Sequence, residues 1–255
     1  MKITVLGCGA APGVPSVSSG WGQCDPANPR NRRRRASILV EQDTSTLLID
    51  TCPDLREQML DVGVRRLDGV LYTHGHADHI HGIDELREIN RIMKGPIPAF
   101  ATAETFQSLE TRFGYVFEGI ARGETFFRPW LQANIIDTEP FQAGPFRVQP
   151  FTQDHGYSTT LGFRIGDFAY STDVLDLSAE AKAGLVGLGV WVVGALGTVV
   201  HPTHASLDRV LSWIEELKPR RAVITHMSNA LDYDTLMRQL PVGVTPAFDG
   251  MQIEL

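Results

Sequence analysis

The chain has 255 residues, 43% hydrophobic and 21% charged, with a formal net charge of −7 at pH 7. That is ordinary for a soluble globular protein, and no Pro/Ser-rich linker or repeat divides it, so one domain over 1–255 is predicted. The negative balance argues against broad electrostatic binding to nucleic acid or an anionic membrane, and leaves only a local basic patch open.

No apolar run approaches a membrane span of about 20 residues, and the run before Gly7 is too short for a secretory signal. Cys8, Cys24 and Cys52 are too few and too scattered for a disulfide framework. A cytoplasmic protein is expected.

Residues 2–6 read as a strand that enters Gly7–Pro15. Glycines after a strand suggest a dinucleotide loop, but Pro12 and Pro15 forbid the helix that such a loop must open, so a tight structural loop is predicted. Residues 16–35 are irregular and end in Arg30-Asn31-Arg32-Arg33-Arg34-Arg35. Arginines can grip a phosphate through two hydrogen bonds, although a run of this kind is more often a solvated face. Any arginine that works should be one beside the strand Ser37–Val40. That strand and Thr46–Asp50 read as a hairpin turning near Gln42-Asp43. A helix capped by 51–54 runs to about Asp61, with Cys52 read as packing, and an apolar run, Leu67–Tyr72, contains a fourth strand at Gly69–Tyr72.

At the end of that strand stands Tyr72-Thr73-His74-Gly75-His76-Ala77-Asp78-His79-Ile80, with three imidazoles and a carboxylate in six positions. These groups are ligands of choice for zinc and its neighbours. His74 and His76 can point to one side of an extended segment and share a metal, while Asp78 and His79 follow at the turn into a helix over 83–93 and can face a second one. His81 is carried away by that helix. The pattern His-x-His-x-Asp-His resembles the signature of the metallo-β-lactamase fold.

Further along, 96–101 reads as a strand and 104–113 as a helix. The region 114–135, with Phe117, Phe126, Phe127 and Trp130, is aromatic and poorly periodic, which fits a flap over the site, a dimer surface or ordinary core. A strand over 146–151 leads to His155. The hairpin Leu161–Ile165 and Phe168–Ser171, turned by Gly166-Asp167, puts Asp173 at its far end. An apolar strand at 190–193 follows, and then a helix over 206–217 with a stripe of Leu207, Val210, Leu211, Ile214 and Leu217. The strand Arg221–Thr225 delivers His226. Taken singly, each of these polar residues is commonly a cap or a hydrogen-bond partner.

The resemblance joins them, because the family's remaining ligands arrive in the order His, Asp, His. It implies an α/β fold, an αββα sandwich of two mixed β-sheets flanked by helices. It also implies two divalent ions, zinc or manganese. His74, His76 and His155 would hold one and Asp78, His79 and His226 the other, with Asp173 between them. Within the superfamily the chain is most similar to the branch of PhnP-like cyclic phosphodiesterases and, more distantly, tRNA 3′-processing endonucleases. The likeness rests on Gly7–Pro15, Ile49-Asp50, the histidine loop, Ser171-Thr172-Asp173, Thr225-His226 and Phe248–Met251. His204 matches a histidine that this branch carries beside the scissile phosphate, which makes His204 and Asp78 the catalytic candidates. His201 is read as structural.

Two departures stand out. Cys24 is the only cysteine where the phosphodiesterase has a zinc-binding cluster, and Gly194 occupies a place where relatives often have an acidic residue. The expected activity is hydrolysis of a small cyclic or nucleotide-derived phosphodiester. The alternatives are a tRNA 3′-processing nuclease, for which no lysine-rich exosite is evident, and a low-turnover metal- and ligand-binding protein linked to cofactor biosynthesis. Relatives suggest a homodimer.

Overall fold

The computed structural model describes residues 1–119 and 129–255. The chain opens with strands β1 (Lys2–Gly7), β2 (Ser37–Gln42) and β3 (Ser45–Ile49), then α1 (Leu55–Val62), β4 (Gly69–Leu71), α2 (Ala77–Ile80), α3 (Leu86–Met93), β5 (Ile97–Ala101) and α4 (Ala103–Phe113). Next come β6 (Leu131–Ile135), β7 (Phe141–Ala143), β8 (Phe146–Asp154), β9 (Thr159–Ile165), β10 (Phe168–Ser171) and α5 (Ala179–Gly184). The last part holds β11 (Val190–Gly194), α6 (Leu207–Leu217), β12 (Arg221–Thr225), α7 (Tyr233–Gln239), β13 (Val244–Pro246) and β14 (Met251–Glu254).

Two seven-stranded sheets result, ordered β14-β1-β2-β3-β4-β5-β6 and β13-β12-β11-β10-β9-β8-β7. Each is antiparallel on one side and parallel on the other. This is the expected αββα sandwich of mixed sheets. The side-chain pattern explains it. Along β2, Ile38 and Val40 enter the core between the sheets, while Leu39 enters a second core under the helices; Leu47 and Ile49 against Leu48 do the same along β3. Successive side chains of a strand point to opposite faces, so an unbroken apolar strand can be buried only when both faces are covered. Leu55 and Met59 of α1, Leu86 and Ile89 of α3, and Phe106 and Leu109 of α4 cover the first sheet. Val210 and Trp213 of α6 cover the second.

Several expectations shift. The apolar run Leu67–Tyr72 pairs as a strand only over Gly69–Leu71. The single helix expected over 83–93 is a 3-10 turn, Ile83–Glu85, followed by α3, and α2 precedes both. On α6, Trp213 joins Leu207, Val210 and Leu217 as a buried residue, whereas Leu211 and Ile214 are only partly covered. Strands β6, β7, β13 and β14 were not anticipated. β7 and β13 are three residues long, and β14 leaves its chain neighbours to pair with β1, Ile3 opposite Ile253. Phe126 and Phe127 lie outside the described residues; Phe117 and Trp130 belong to the core under the helices. Among the described residues, no helix is long and apolar enough to cross a membrane.

Candidate metal centre

The loops that leave the carboxyl ends of parallel strands gather the polar residues, as is usual for ligand sites in α/β sheets. Asp50 follows β3, the histidine loop follows β4, Asp173 lies just beyond β10, and His226 follows β12. Asp50, Asp173 and His226 all adopt left-handed backbone, with φ of 63°, 49° and 53°. Each chain turns sharply there.

Two groups of donor atoms form at the seam between the sheets. His74, His76, His155 and Asp173 make one, and Asp78, His79, Asp173 and His226 the other, with donor atoms within 4.8 Å of one another in each group. All seven predicted ligands are thus brought together, and Asp173 belongs to both groups. His76 is exposed and Asp78 partly so, while the other five are buried.

Ring tautomers follow from what each Nδ1 meets. His79 Nδ1 donates to Asp50 Oδ2 at 2.7 Å, and His155 Nδ1 donates to the Thr203 carbonyl at 2.7 Å. His74 Nδ1 lies 3.0 Å from Thr73 Oγ1, whose own proton goes to Asp50 Oδ2. In each case a proton sits on Nδ1 and Nε2 faces inward, the orientation expected of a histidine placed as a metal ligand.

The inward atoms are crowded without being hydrogen-bonded. His79 Nε2 stands 3.0 Å from Asp173 Oδ2 and 3.2 Å from Asp78 Oδ2, and His226 Nε2 stands 3.2 Å from Asp173 Oδ2. Yet among the described residues the Nε2 atoms of His74, His79 and His226 have no hydrogen-bond partner. Buried polar atoms without partners are rare, and here they converge on two points. The donor set fits a pair of divalent cations.

The electrostatics agree. Burial opposes a charge on Asp173, but His226 and His79 outweigh it and hold its carboxyl well below the usual range. Burial likewise opposes the charge on Asp78, and His79 and His226 bring it down. His79 would be lowered by burial, yet the carboxylates of Asp173, Asp78 and Asp50 raise it well above an ordinary histidine. Burial, with His79 beside it, pushes His74 the other way and keeps it neutral.

His204 reaches the same space. Its Nε2 is 3.0 Å from Asp173 Oδ1, its Nδ1 is 2.8 Å from Thr203 Oγ1 and 3.2 Å from His201 Nδ1, and its ring stacks on that of His226. His81 packs edge-on against Phe113, away from the donors.

A β-lactamase superfamily domain matches residues 45–227, most of the chain and every donor residue. The chain belongs to the β-lactamase superfamily. A solved structure described as a new diphosphatase from the PhnP family is 34% identical, with a TM-score of 0.91, covering 100% of this chain and 98% of that one, which places this member in the PhnP-like branch. Zinc-bound PqqB from Methylobacterium extorquens shares the fold at 20% identity and a TM-score of 0.79, covering 100% of each chain. An octanoyltransferase of Porphyromonas gingivalis is 30% identical over 256 residues, covering 99% of this chain and 51% of that protein. The chain therefore spans about half the length of that curated relative.

This superfamily member has supports that its sequence did not announce. Asp50 accepts from Thr73 N, Thr73 Oγ1 and His79 Nδ1, so one buried carboxylate orients both the loop and a donor. Its signals in the sequence were its position at a strand end, directly after Ile49, and the family likeness at Ile49-Asp50. Gly194 packs close against His226: an added Cβ would lie 3.3 Å from the histidine Cβ, tighter than an ordinary contact. Among the described residues His226 has no hydrogen-bond partner on either ring nitrogen.

The arginine run has structural employment. Arg30 lies over Tyr233 and Phe248, Arg32 over Trp21, Arg34 pairs with Asp61 and Asp249, and Arg35 with Asp54. Arg33 is buried and donates to the carbonyls of Ser228 and Leu231, tying down the loop that follows His226. Cys24 packs beside it, with Sγ 3.4 Å from the Leu231 carbonyl oxygen. Cys52 donates to Gln58 Oε1, and burial pushes its thiol up to about 12.

Proposed function

We propose that this protein is a metal-dependent hydrolase acting on a small cyclic or nucleotide-derived phosphodiester. The observation that carries the reading is the pair of donor groups sharing Asp173, with His204 Nε2 3.0 Å from that same carboxylate. The 34% identical relative described as a diphosphatase supports phosphoryl chemistry in particular.

Two divalent cations, zinc or manganese, held by His74, His76 and His155 and by Asp78, His79 and His226 with Asp173 shared, would supply Lewis acidity to the phosphoryl group and make a water nucleophilic at neutral pH. The chain's own residues do the rest. Asp50, Thr73 and the Thr203 carbonyl fix the tautomers of the donor histidines. Asp78, the more exposed of the site's two carboxylates at 15% against 4%, accepts the proton of the attacking water. The leaving alkoxide needs a proton, and His204 donates it from Nε2, exchanging Asp173 Oδ1 for the departing oxygen. Thr203 Oγ1 and His201 hold the opposite nitrogen and keep the ring aimed.

The test is hydrolysis of bis(p-nitrophenyl) phosphate by protein loaded with zinc or manganese, beside a chelated sample. Cleavage that disappears on chelation is expected, as is a loss of roughly 10²–10⁴ in kcat for His204→Ala with both metals retained. No cleavage by a sample that metal analysis shows to hold two ions per chain would overturn the reading. A second reading, a metal- and ligand-binding protein with little turnover, is favoured by one observation: among the described residues the ring of His226, beside Gly194, has no hydrogen-bond partner. Tight metal binding without cleavage would select it.

A further inference from the structure

Among the buried donor histidines, His226 is the one whose ring no hydrogen bond aims. His74, His79 and His155 each rest Nδ1 on a partner: Thr73, Asp50 and the Thr203 carbonyl. The ring of His226 is only stacked, against those of His79 and His204. Stacking sets the plane of a ring but not the direction of its nitrogens within that plane. Strand β11 offers no side chain to help, because the residue beside His226 is Gly194. A histidine that holds a metal needs its orientation fixed from outside, so here the support has to come through the backbone.

That backbone is pinned on both sides. Ala195 N donates to the Thr225 carbonyl before His226, and after it Met227 N donates to the Cys8 carbonyl at 2.9 Å and Ser228 N to the Leu196 carbonyl at 3.0 Å. Ala10 N returns a bond to the Met227 carbonyl at 3.2 Å. His226 itself sits at a φ of 53°, which a residue with a side chain keeps only where its surroundings impose it.

Arg33 closes the arrangement. It is 2% exposed, and its guanidinium donates from Nη1 to the Ser228 carbonyl at 2.9 Å and from Nη2 to the Leu231 carbonyl at 2.6 Å. Asn31 Oδ1 at 3.3 Å and Cys24 Sγ at 3.9 Å complete the set of acceptors. Its main chain exchanges two hydrogen bonds with Val14, in the loop that also carries Cys8 and Ala10. One residue thus joins both segments that pin His226.

The charge is the telling feature. Among the described residues no carboxylate pairs with this guanidinium, and its Nε has no hydrogen-bond partner. Burying a cation without a counter-ion is costly, and an apolar side chain of similar length would fill the space without that cost. A methionine could fill it but could not hold two carbonyls in fixed directions, as a planar fork does. Geometry is what the arginine supplies. Resting on the reading of the two donor groups as a cation pair, we propose that Arg33 is a positioning residue: it holds the turn at 228–231, through that turn it aims His226, and so it sets the affinity of the Asp78, His79 and His226 group for its ion.

The test is metal affinity, with no substrate present. Zinc is titrated into the full chain against a chromophoric chelator, and cobalt(II) absorption shows which donor group changes. Arg33→Met should weaken one of the two ions by about 10–100-fold, the scale on which groups that orient a ligand act, and leave the other unchanged. Arg33→Lys keeps the charge but not the fork; it should fall between parent and Arg33→Met, and it serves if the methionine variant does not fold. Phe146→Ala, a core truncation at the far end of β8 from His155, should lower Tm and move neither affinity. In a His226→Ala background Arg33→Met should add no further loss, since effects exerted through one residue are not additive. Equal weakening of both ions, the same weakening by Phe146→Ala, an additive loss in the His226→Ala background, or parental affinity in both Arg33 variants would overturn the proposal. A parent that takes up fewer than two ions would overturn the cation-pair reading and this proposal with it, so the two failures are told apart by the parent alone.

Discussion

Asp50 is fully buried and keeps its place through three accepted hydrogen bonds, two from Thr73 and one from His79. Asp50→Asn preserves the shape but replaces an acceptor oxygen with a donor. Because groups that orient a ligand tune affinity by about 10–100-fold, a loss of that size is expected for one of two bound ions in a chelator competition. His79 supplies a second expectation. Its pKa in the metal-free protein is raised by Asp173, Asp78 and Asp50, so it carries a proton at neutral pH that a ligand must surrender. Metal uptake should release protons and tighten as pH rises, seen as a binding enthalpy that changes with the ionisation enthalpy of the buffer. At this scale the donors in the histidine loop were legible because they are adjacent in sequence. His155, Asp173 and His226 looked like ordinary strand-end residues until their order was considered. Thr73 and the Thr203 carbonyl could not be foreseen as partners, since which Nδ1 meets which acceptor is decided only when distant loops pack.

At the scale of elements, the arginine run shows why local composition misleads. The spacing fitted a solvated face or a phosphate grip, yet the partners come from three other segments: Asp54 and Asp61 from α1 and its cap, Tyr233 from α7, and Asp249 from the turn before β14. The same loop is clamped from the far side by Asp232, which caps α7 through Thr235 N and also accepts from Asp25 N and Asn31 Nδ2. Burial opposes its charge, but these donors lower its pKa from 3.8 to about 2. A depressed carboxyl contributes stability that is present above its unfolded pKa and is lost as pH falls through the folded one. Asp232→Ala should therefore cost about 1 kcal/mol near neutrality. In denaturant titrations the advantage of the parent over Asp232→Asn should shrink between about pH 4 and pH 2. Helix α6 was legible from its stripe because 3.6-residue periodicity is a local property; β14 was not, because its pairing with β1 joins opposite ends of the chain.

For the whole molecule, the decisive fact is that the first sheet supplies His74, His76, Asp78 and His79 and the second supplies His155, Asp173 and His226. Cations bound there would bind the folded sandwich and not either sheet alone. At about 1,000 times the dissociation constant such linkage adds roughly 4 kcal/mol, so chelation should lower Tm by on the order of 10 °C, as read by calorimetry. The left-handed backbone at Asp50, Asp173 and His226 carries a further consequence. Non-glycine residues in that conformation are strained by about 1 kcal/mol or more each. The metal-free protein thus sits below the stability its sequence could reach. In the metal-free protein Asp173→Gly is expected to melt above Asp173→Ala, since both lose the carboxylate and only glycine is at ease at a φ of 49°.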